Sequence, residues 1–175
     1  VFRDAGAPVI LRPFHEMNGR WFWWGGKDSI DYVLMYRLFV DYLRDSAQVH
    51  GGFHNLIFAW SPNSPFNANS MAYYPGDDYV DIIGLDIYEP GKSLKRQLKK
   101  TAVFAAEHQK LFAVTETGDR RTYPEKNADF WTDEILNAVN SSSITGRVSY
   151  VMSWYNARWD SDNSYFYTPY SGMNN

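Results

Sequence analysis

Glu16 and Glu116 stand a hundred positions apart, each just beyond a short apolar run. A pair of facing carboxylates is the minimum for breaking a glycosidic bond. One must hold its proton for the leaving oxygen, and the other must be ionised to attack the sugar carbon, so their surroundings must push their pKa values apart. In "LRPFHEMNGRWFWWGG", Leu11 to Gly26, Glu16 is followed by Trp21 to Trp24, whose rings would disfavour its charged form and raise its pKa. Glu116 has Arg12 and the Tyr88 hydroxyl as candidate neighbours, both of which would favour its carboxylate. Glu16 therefore reads as the acid/base and Glu116 as the nucleophile. Sugar rings offer C–H faces that stack on indole and hydroxyls that need polar edges. Trp21, Trp24 and Trp154 could supply the faces; His15, Asn18, Asp86 and Tyr88 could supply the edges. Phe22 and Trp23 are the members of the cluster expected in the core.

Blander readings stand beside these. Any single glutamate can be a surface group, Glu116 could belong to a strand-end turn, and Trp154 could simply plug the interior. His50 and His54 are four residues apart, but Gly51 and Gly52 argue against a helical metal pair. "DSDNS", Asp160 to Ser164, opens like a calcium loop but has Tyr165 and Ser171 where glycine and glutamate belong. Lys95, Arg96, Lys99 and Lys100 read as a solvated helix face. Asn140–Ser141–Ser142 is a glycosylation sequon by pattern alone.

The elements that must position these groups alternate along the chain. Pro8 to Pro13 reads as a buried strand, followed by Leu56–Trp60, Ile82–Tyr88, Leu111–Thr115 and Val148–Trp154. Between them, Asp28 caps a helix whose face is Val33, Tyr36, Val40, Leu43 and Ala47, stopped by Gly51–Gly52. Ser93 opens a second helix with Leu94, Leu98, Ala102 and Ala105 on one face. Phe130, Trp131, Ile135, Leu136 and Val139 mark a third. Apolar strands alternating with amphipathic helices indicate a parallel sheet covered by helices. Each strand delivers a notable side chain at its C-terminal end, as barrel enzymes do. The long aperiodic stretch from Pro62 to Asp78 follows such an end and reads as a functional loop.

With 175 residues the chain suits one domain, and aromatics, at 18%, are its compositional outlier, which favours binding surfaces as well as core. Seventeen basic against 20 acidic residues leave a net charge of −3 and no basic face for nucleic acid. No apolar stretch is long enough to span a membrane. The absence of cysteine removes thiolate metal sites and cysteine nucleophiles but leaves the compartment open.

"LRPFHEMNGRWFWWG", "FAWSPN", "DIIGLDIY", "VTETG" and "MSWYNA" together resemble glycoside hydrolase family 26, the β-mannanases. The resemblance covers most of the chain and implies a (β/α)8 barrel with a retaining mechanism. It implies that residues 1–175 are a truncated part of that catalytic domain, about strands four to eight, and that the polypeptide alone is poorly soluble or inactive. It places the acid/base on Glu16 and the nucleophile on Glu116. Arg12, His15 and Tyr88 match contacts around the nucleophile and the sugar at the cleavage point. Trp21 matches an aromatic on the leaving-group side, Trp154 a platform under the sugar, and Asp86 an acidic residue at the base of the site. Tyr155 stands where some members carry arginine, which leaves subsite preference open.

The expected activity is endo-cleavage of β-1,4-mannosidic links in a mannan-type polysaccharide. The same machinery could serve a β-glucan or xylan, and a non-catalytic carbohydrate-binding protein could reuse the scaffold, although it would not need two matched glutamates. No cofactor or metal is implied, because carboxylate chemistry needs none. A polymeric substrate points to an extracellular, cell-surface or periplasmic location, although "VFRDAGAPV" at the start shows no signal-like run.

Overall fold

The computed structural model describes residues 2, 4–45, 51–120 and 129–155. Strand β1 (Val9–Leu11) leads to helix α1 (Ser29–Arg44) and strand β2 (Leu56–Trp60). A one-turn helix α2 (Ala68–Met71) precedes β3 (Ile82–Asp86), α3 (Gly91–Glu107) and β4 (Leu111–Thr117). A π-helical stretch, Phe130–Leu136, then runs into α4 (Asn137–Val139) before β5 (Val148–Ser153). All five strands are parallel and lie in the order β1-β2-β3-β4-β5. Crossovers that always step to the next strand keep the helices on one face, so the sheet curls around the other.

Two cores result. The outer face of the sheet packs Phe58, Trp60, Ile83 and Leu85 against Tyr36 and Val40 of α1 and Leu94 and Leu98 of α3. The concave face carries a smaller cluster of Ala59, Ile82 and Ala113, flanked by Ile57 and Tyr150. β3 is buried along its whole length, as a central strand covered on both faces must be. The first strand is not fully buried as expected. Ile10 is 47% exposed, because β1 pairs only with β2 among the described residues. On α1, Ile30, Leu34, Leu38 and Tyr42 are all exposed at four-residue spacing, an apolar stripe facing away from the core.

Local chemistry explains most boundaries. The Asp28 side chain accepts from the Ile30 N–H at 2.8 Å and starts α1 where the capping signal puts it. Helix α1 is described to Arg44, and Ala47 lies outside the described residues. Helix α3 begins at Gly91 rather than Ser93, because a distant group caps it: the Gly91 N–H donates to Glu134 Oε2 at 2.7 Å. The Pro62 to Asp78 stretch is less a loop than expected. Asn67 and Ser70 form a reciprocal capping box on α2, and Phe66 and Tyr73 are buried in the outer core.

One irregularity matters for the site. Along β3 and β4, Gly84 pairs with Ala113 and Leu85 with Val114, but Asp86 pairs with Glu116. The register slip is a bulge, and it turns both Thr115 and Glu116 toward the side occupied by Asp86.

Candidate active site

The C-terminal ends of the strands converge on Arg12, which follows β1. Its Nη1 donates to Asp86 Oδ2 at 2.6 Å and its Nη2 to Glu116 Oε2 at 2.9 Å. Tyr88, two residues past β3, donates its hydroxyl to Glu116 Oε1 at 2.6 Å. Both oxygens of Glu116 are therefore held from different strands, which fixes the plane of the carboxylate. Asp86 is fully buried and anchors the cluster from below. Its Oδ1 accepts from Ser61 Oγ and Thr115 Oγ1, each at 2.7 Å, and the two hydroxyls also contact each other. Burial pushes the Asp86 pKa up, to about 7, with Glu116 adding to the push against Arg12, Ser61 and Thr115. Burial would lower the pKa of Arg12, but Asp86 and Glu116 outweigh it and raise the value, so the guanidinium stays charged.

Glu16 approaches from a different local structure. The chain leaves β1 through left-handed backbone at Phe14 (φ 50°) and Glu16 (φ 54°), and the Glu16 N–H donates to the Ser61 carbonyl at 2.8 Å. Gly19 and Gly26 close the turn by donating to the carbonyls of Glu16 and Met17. The Glu16 carboxyl is only 7% exposed as a residue, and the Trp21 indole N–H donates to its Oε2 at 2.6 Å. Burial raises its pKa; Glu116 adds to the rise, while the Trp21 hydrogen bond and the charges of Arg12 and Arg120 oppose it. His15, beside it, is lowered to about 4 by burial and by Arg12, so the ring is neutral at ordinary pH.

A cleft of about 440 Å³ joins these groups, lined by His15, Glu16, Trp21, Phe22, Asn63, Tyr88, Glu116, Arg120 and Trp154. Larger clefts exist elsewhere, but they lack paired carboxylates. Of the residues expected at a site, Glu16, Glu116, His15, Trp21, Tyr88 and Trp154 line this cleft, while Arg12 and Asp86 lie behind it as supports. Trp24 does not line it. Its indole donates to the His15 carbonyl at 2.8 Å and stacks on Phe22 at 4.5 Å, so Phe22 is the ring presented to the cleft and Trp24 its backing. Of the two rings expected in the core, Phe22 lines the cleft and Trp23 is 70% exposed, while Trp24, expected at the site, packs against the core.

Two lining residues carried no expected role. Asn63 exchanges hydrogen bonds with Asn18 in both directions, the Asn18 amide donating to the Asn63 carbonyl at 2.6 Å and accepting from its N–H at 2.9 Å. Arg120 lies over the Tyr88 ring at 3.6 Å from the centroid. Asn63 was visible inside "FAWSPN", but nothing in the spacing of "TGDRR" marked Arg120.

His15, Glu16 and Asp86 bring ligand-type atoms within 4.8 Å of one another, the one such group among the described residues. Both Asp86 oxygens are already engaged, and Arg12 supplies the positive charge between Asp86 and Glu116, so the cluster fits a proton-transfer site better than a metal site. His54 bonds locally to the Gly51 carbonyl, while His50 and the Asp160 to Ser164 stretch lie outside the described residues.

Comparison with known proteins gives the same direction. The model of glycosyl hydrolase family 26 matches residues 1–160. A mannan endo-1,4-beta-mannosidase of Bifidobacterium adolescentis is 35% identical, over 94% of this chain and 18% of the relative. The catalytic domain of the Bacillus sp. JAMB-750 endo-beta-1,4-mannanase superposes with a TM-score of 0.76 at 35% identity, covering 90% of this chain and 44% of that structure. Endoglucanase H of Acetivibrio thermocellus is 33% identical over 78% of this chain and 16% of its own length. The chain thus spans less than half the length of these relatives.

Proposed function

The chain belongs to glycosyl hydrolase family 26, and from that premise we propose that it carries the acid/base and the nucleophile of a retaining endo-β-1,4-mannanase. The observation that supports this most is the pairing of Glu16 and Glu116 in one cleft with opposite partners. Glu16 is buried against aromatic rings and raised in pKa; Glu116 has a guanidinium on one oxygen and a phenol on the other. The Trp21 N–H on Oε2 of Glu16 leaves Oε1 to carry the proton. Glu16 gives that proton to the leaving glycosidic oxygen while a Glu116 oxygen bonds to the anomeric carbon. The deprotonated Glu16 then takes a proton from water, whose oxygen displaces Glu116 and returns it as carboxylate. Trp154 and Trp21 offer faces to the sugars on either side of the bond.

The five strands correspond to about strands four to eight of a (β/α)8 domain. Among the described residues β1 pairs on one side only, and this with the apolar stripe on α1 supports a role as part of a larger barrel. On this reading the 175-residue chain alone is poorly soluble or inactive, and a soluble monomer with full turnover would contradict it. The polymeric substrate favours an extracellular setting. Among the described residues, no helix is long and apolar enough to cross a membrane.

The similarity to Endoglucanase H favours a second reading, the same chemistry on a β-glucan. Digesting purified mannan, glucomannan, β-glucan and xylan with the complete enzyme separates the two. Proton NMR of the first product gives the anomeric outcome: β product is expected, and an α product removes the retaining assignment. A carboxyl separation of about 5–5.5 Å accompanies retention, against about 6.5–9.5 Å for inversion. Glu116→Ala must abolish turnover while keeping oligosaccharide binding; unchanged turnover would defeat the proposal.

A further inference from the structure

Arg120 belongs to neither the strand-end cluster nor the aromatic run, yet it lines the same cleft as both glutamates. It is exposed, three residues beyond the end of β4, and Asp119 before it is buried. A long exposed cation ordinarily extends into water. Here the guanidinium lies on the Tyr88 ring, 3.6 Å from its centroid, well inside the range of a cation–π contact. Tyr88 is the residue whose hydroxyl holds Glu116 Oε1 at 2.6 Å. Arg12 holds the other oxygen through a direct ion pair, so Glu116 is gripped by one arginine directly and by a second through a ring.

We propose that Arg120 is a positioning residue: stacked on Tyr88, it fixes the phenol that aims Glu116, and it contributes a second positive charge beside Glu16. The inference rests on the roles proposed above for the two glutamates. The cation draws electron density from the phenol face, which strengthens the hydroxyl as a donor to Glu116. It also faces Glu16 across the cleft and favours its carboxylate form. The other groups acting on Glu16 are the Trp21 indole from its own turn, Arg12 after β1 and Glu116 on β4, with neutral His15 adjacent. Arg120 is exposed and stands outside the Arg12–Asp86 ion pair, so it can be changed without disturbing that buried contact.

Arg120→Met, Arg120→Lys, Tyr88→Phe and the double variant, made in the complete enzyme, test this. Arg120→Met is expected to lower kcat roughly tenfold, less than the hundredfold of a direct misplacement, with KM nearly unchanged. On the Tyr88→Phe background the same change should cost little, because the ring can no longer pass the effect to Glu116. Carbon-13 NMR of the Glu16 carboxyl should show its titration midpoint rising in Arg120→Met and returning in Arg120→Lys, which keeps the charge but not the flat stack. An unmoved midpoint, or a kcat loss of equal size with and without the Tyr88 hydroxyl, overturns the proposal. If the unaltered enzyme cleaves no polysaccharide, the functional reading fails, and the carboxyl titration, which needs no turnover, still decides on Arg120.

Discussion

Arg12 holds Glu116 at 2.9 Å with one nitrogen while its other terminal nitrogen is committed to buried Asp86 at 2.6 Å. The guanidinium is thus a rigid spacer between the floor of the cleft and the Glu116 carboxylate. Arg12→Met should lower kcat by about a hundredfold or more, because the proposed nucleophile loses both its aim and its counter-charge. Above pH 7, where Asp86 is ionised, stability should fall by about 3 kcal/mol, the cost of leaving its charge buried without a partner. Steady-state kinetics and denaturant unfolding measure the two effects separately. Loss of activity with full stability would mean that Asp86 is not charged in the folded protein.

The indole of Trp21 serves Glu16 twice, as apolar cover and as a hydrogen-bond donor. Trp21→Phe keeps most of the ring and removes the donor. Since that bond favours the carboxylate, its loss raises the Glu16 pKa further. A general acid must be protonated, so activity is lost as pH rises through its pKa. The alkaline limb of kcat/KM should therefore move upward, by roughly 0.5–1 pH unit for one hydrogen bond. A downward move would contradict the assignment of Glu16 as the acid.

His15 and Asp86 pull the pH dependence of stability in opposite directions. His15 falls from 6.5 to about 4 on folding, so between those values the unfolded chain binds the extra proton and stability rises with pH. Asp86 climbs from 3.8 to about 7, so the folded chain binds the extra proton and stability falls as pH rises through that range. The overlap should leave the native protein with a shallow dependence from about pH 4 to 6.5. In His15→Gln the falling trend of Asp86, shared by the raised Glu16, is no longer offset by the histidine, and urea unfolding should show stability falling with pH across that window.

Gly84 sets how closely β3 and β4 approach beneath the site. A Cβ there would stand 2.5 Å from both the methyl and the hydroxyl of Thr115, which is hydrogen-bonded to Asp86. Gly84→Ala should cost roughly 1–3 kcal/mol as an overpacking change. It should also lower activity, although the residue touches no substrate, by displacing Thr115 and through it Asp86. Thr115→Ala on the same background should recover part of the stability and none of the hydrogen bonding.

The residues most visible in the sequence were those at the ends of apolar runs. Arg12, Glu16, Asp86, Tyr88 and Glu116 could be picked out because a parallel sheet puts strand ends on one rim. The alternation itself could not say that Thr115 and Glu116 face the same way. A strict two-residue period puts them on opposite faces, and only the bulge opposite Asp86 reconciles them. Nor could a local capping rule find the start of α3, since its cap comes from Glu134, 43 residues away. Within Trp21 to Trp24, composition announced an aromatic wall but not its layering. Phe22 faces the cleft, Trp24 backs it with its indole tied to the His15 carbonyl, and Trp23 lies outside.

The left-handed backbone at Glu16 carries a further consequence. At φ 54°, Glu16 occupies backbone that a side chain with a Cβ enters at a cost of about 1–2 kcal/mol, and glycine or asparagine would relieve it. Selection for heat resistance alone would therefore drift toward replacing the proposed proton donor itself. Durability and turnover compete at this one position, and any programme to harden the enzyme must hold residue 16 fixed while it searches everywhere else.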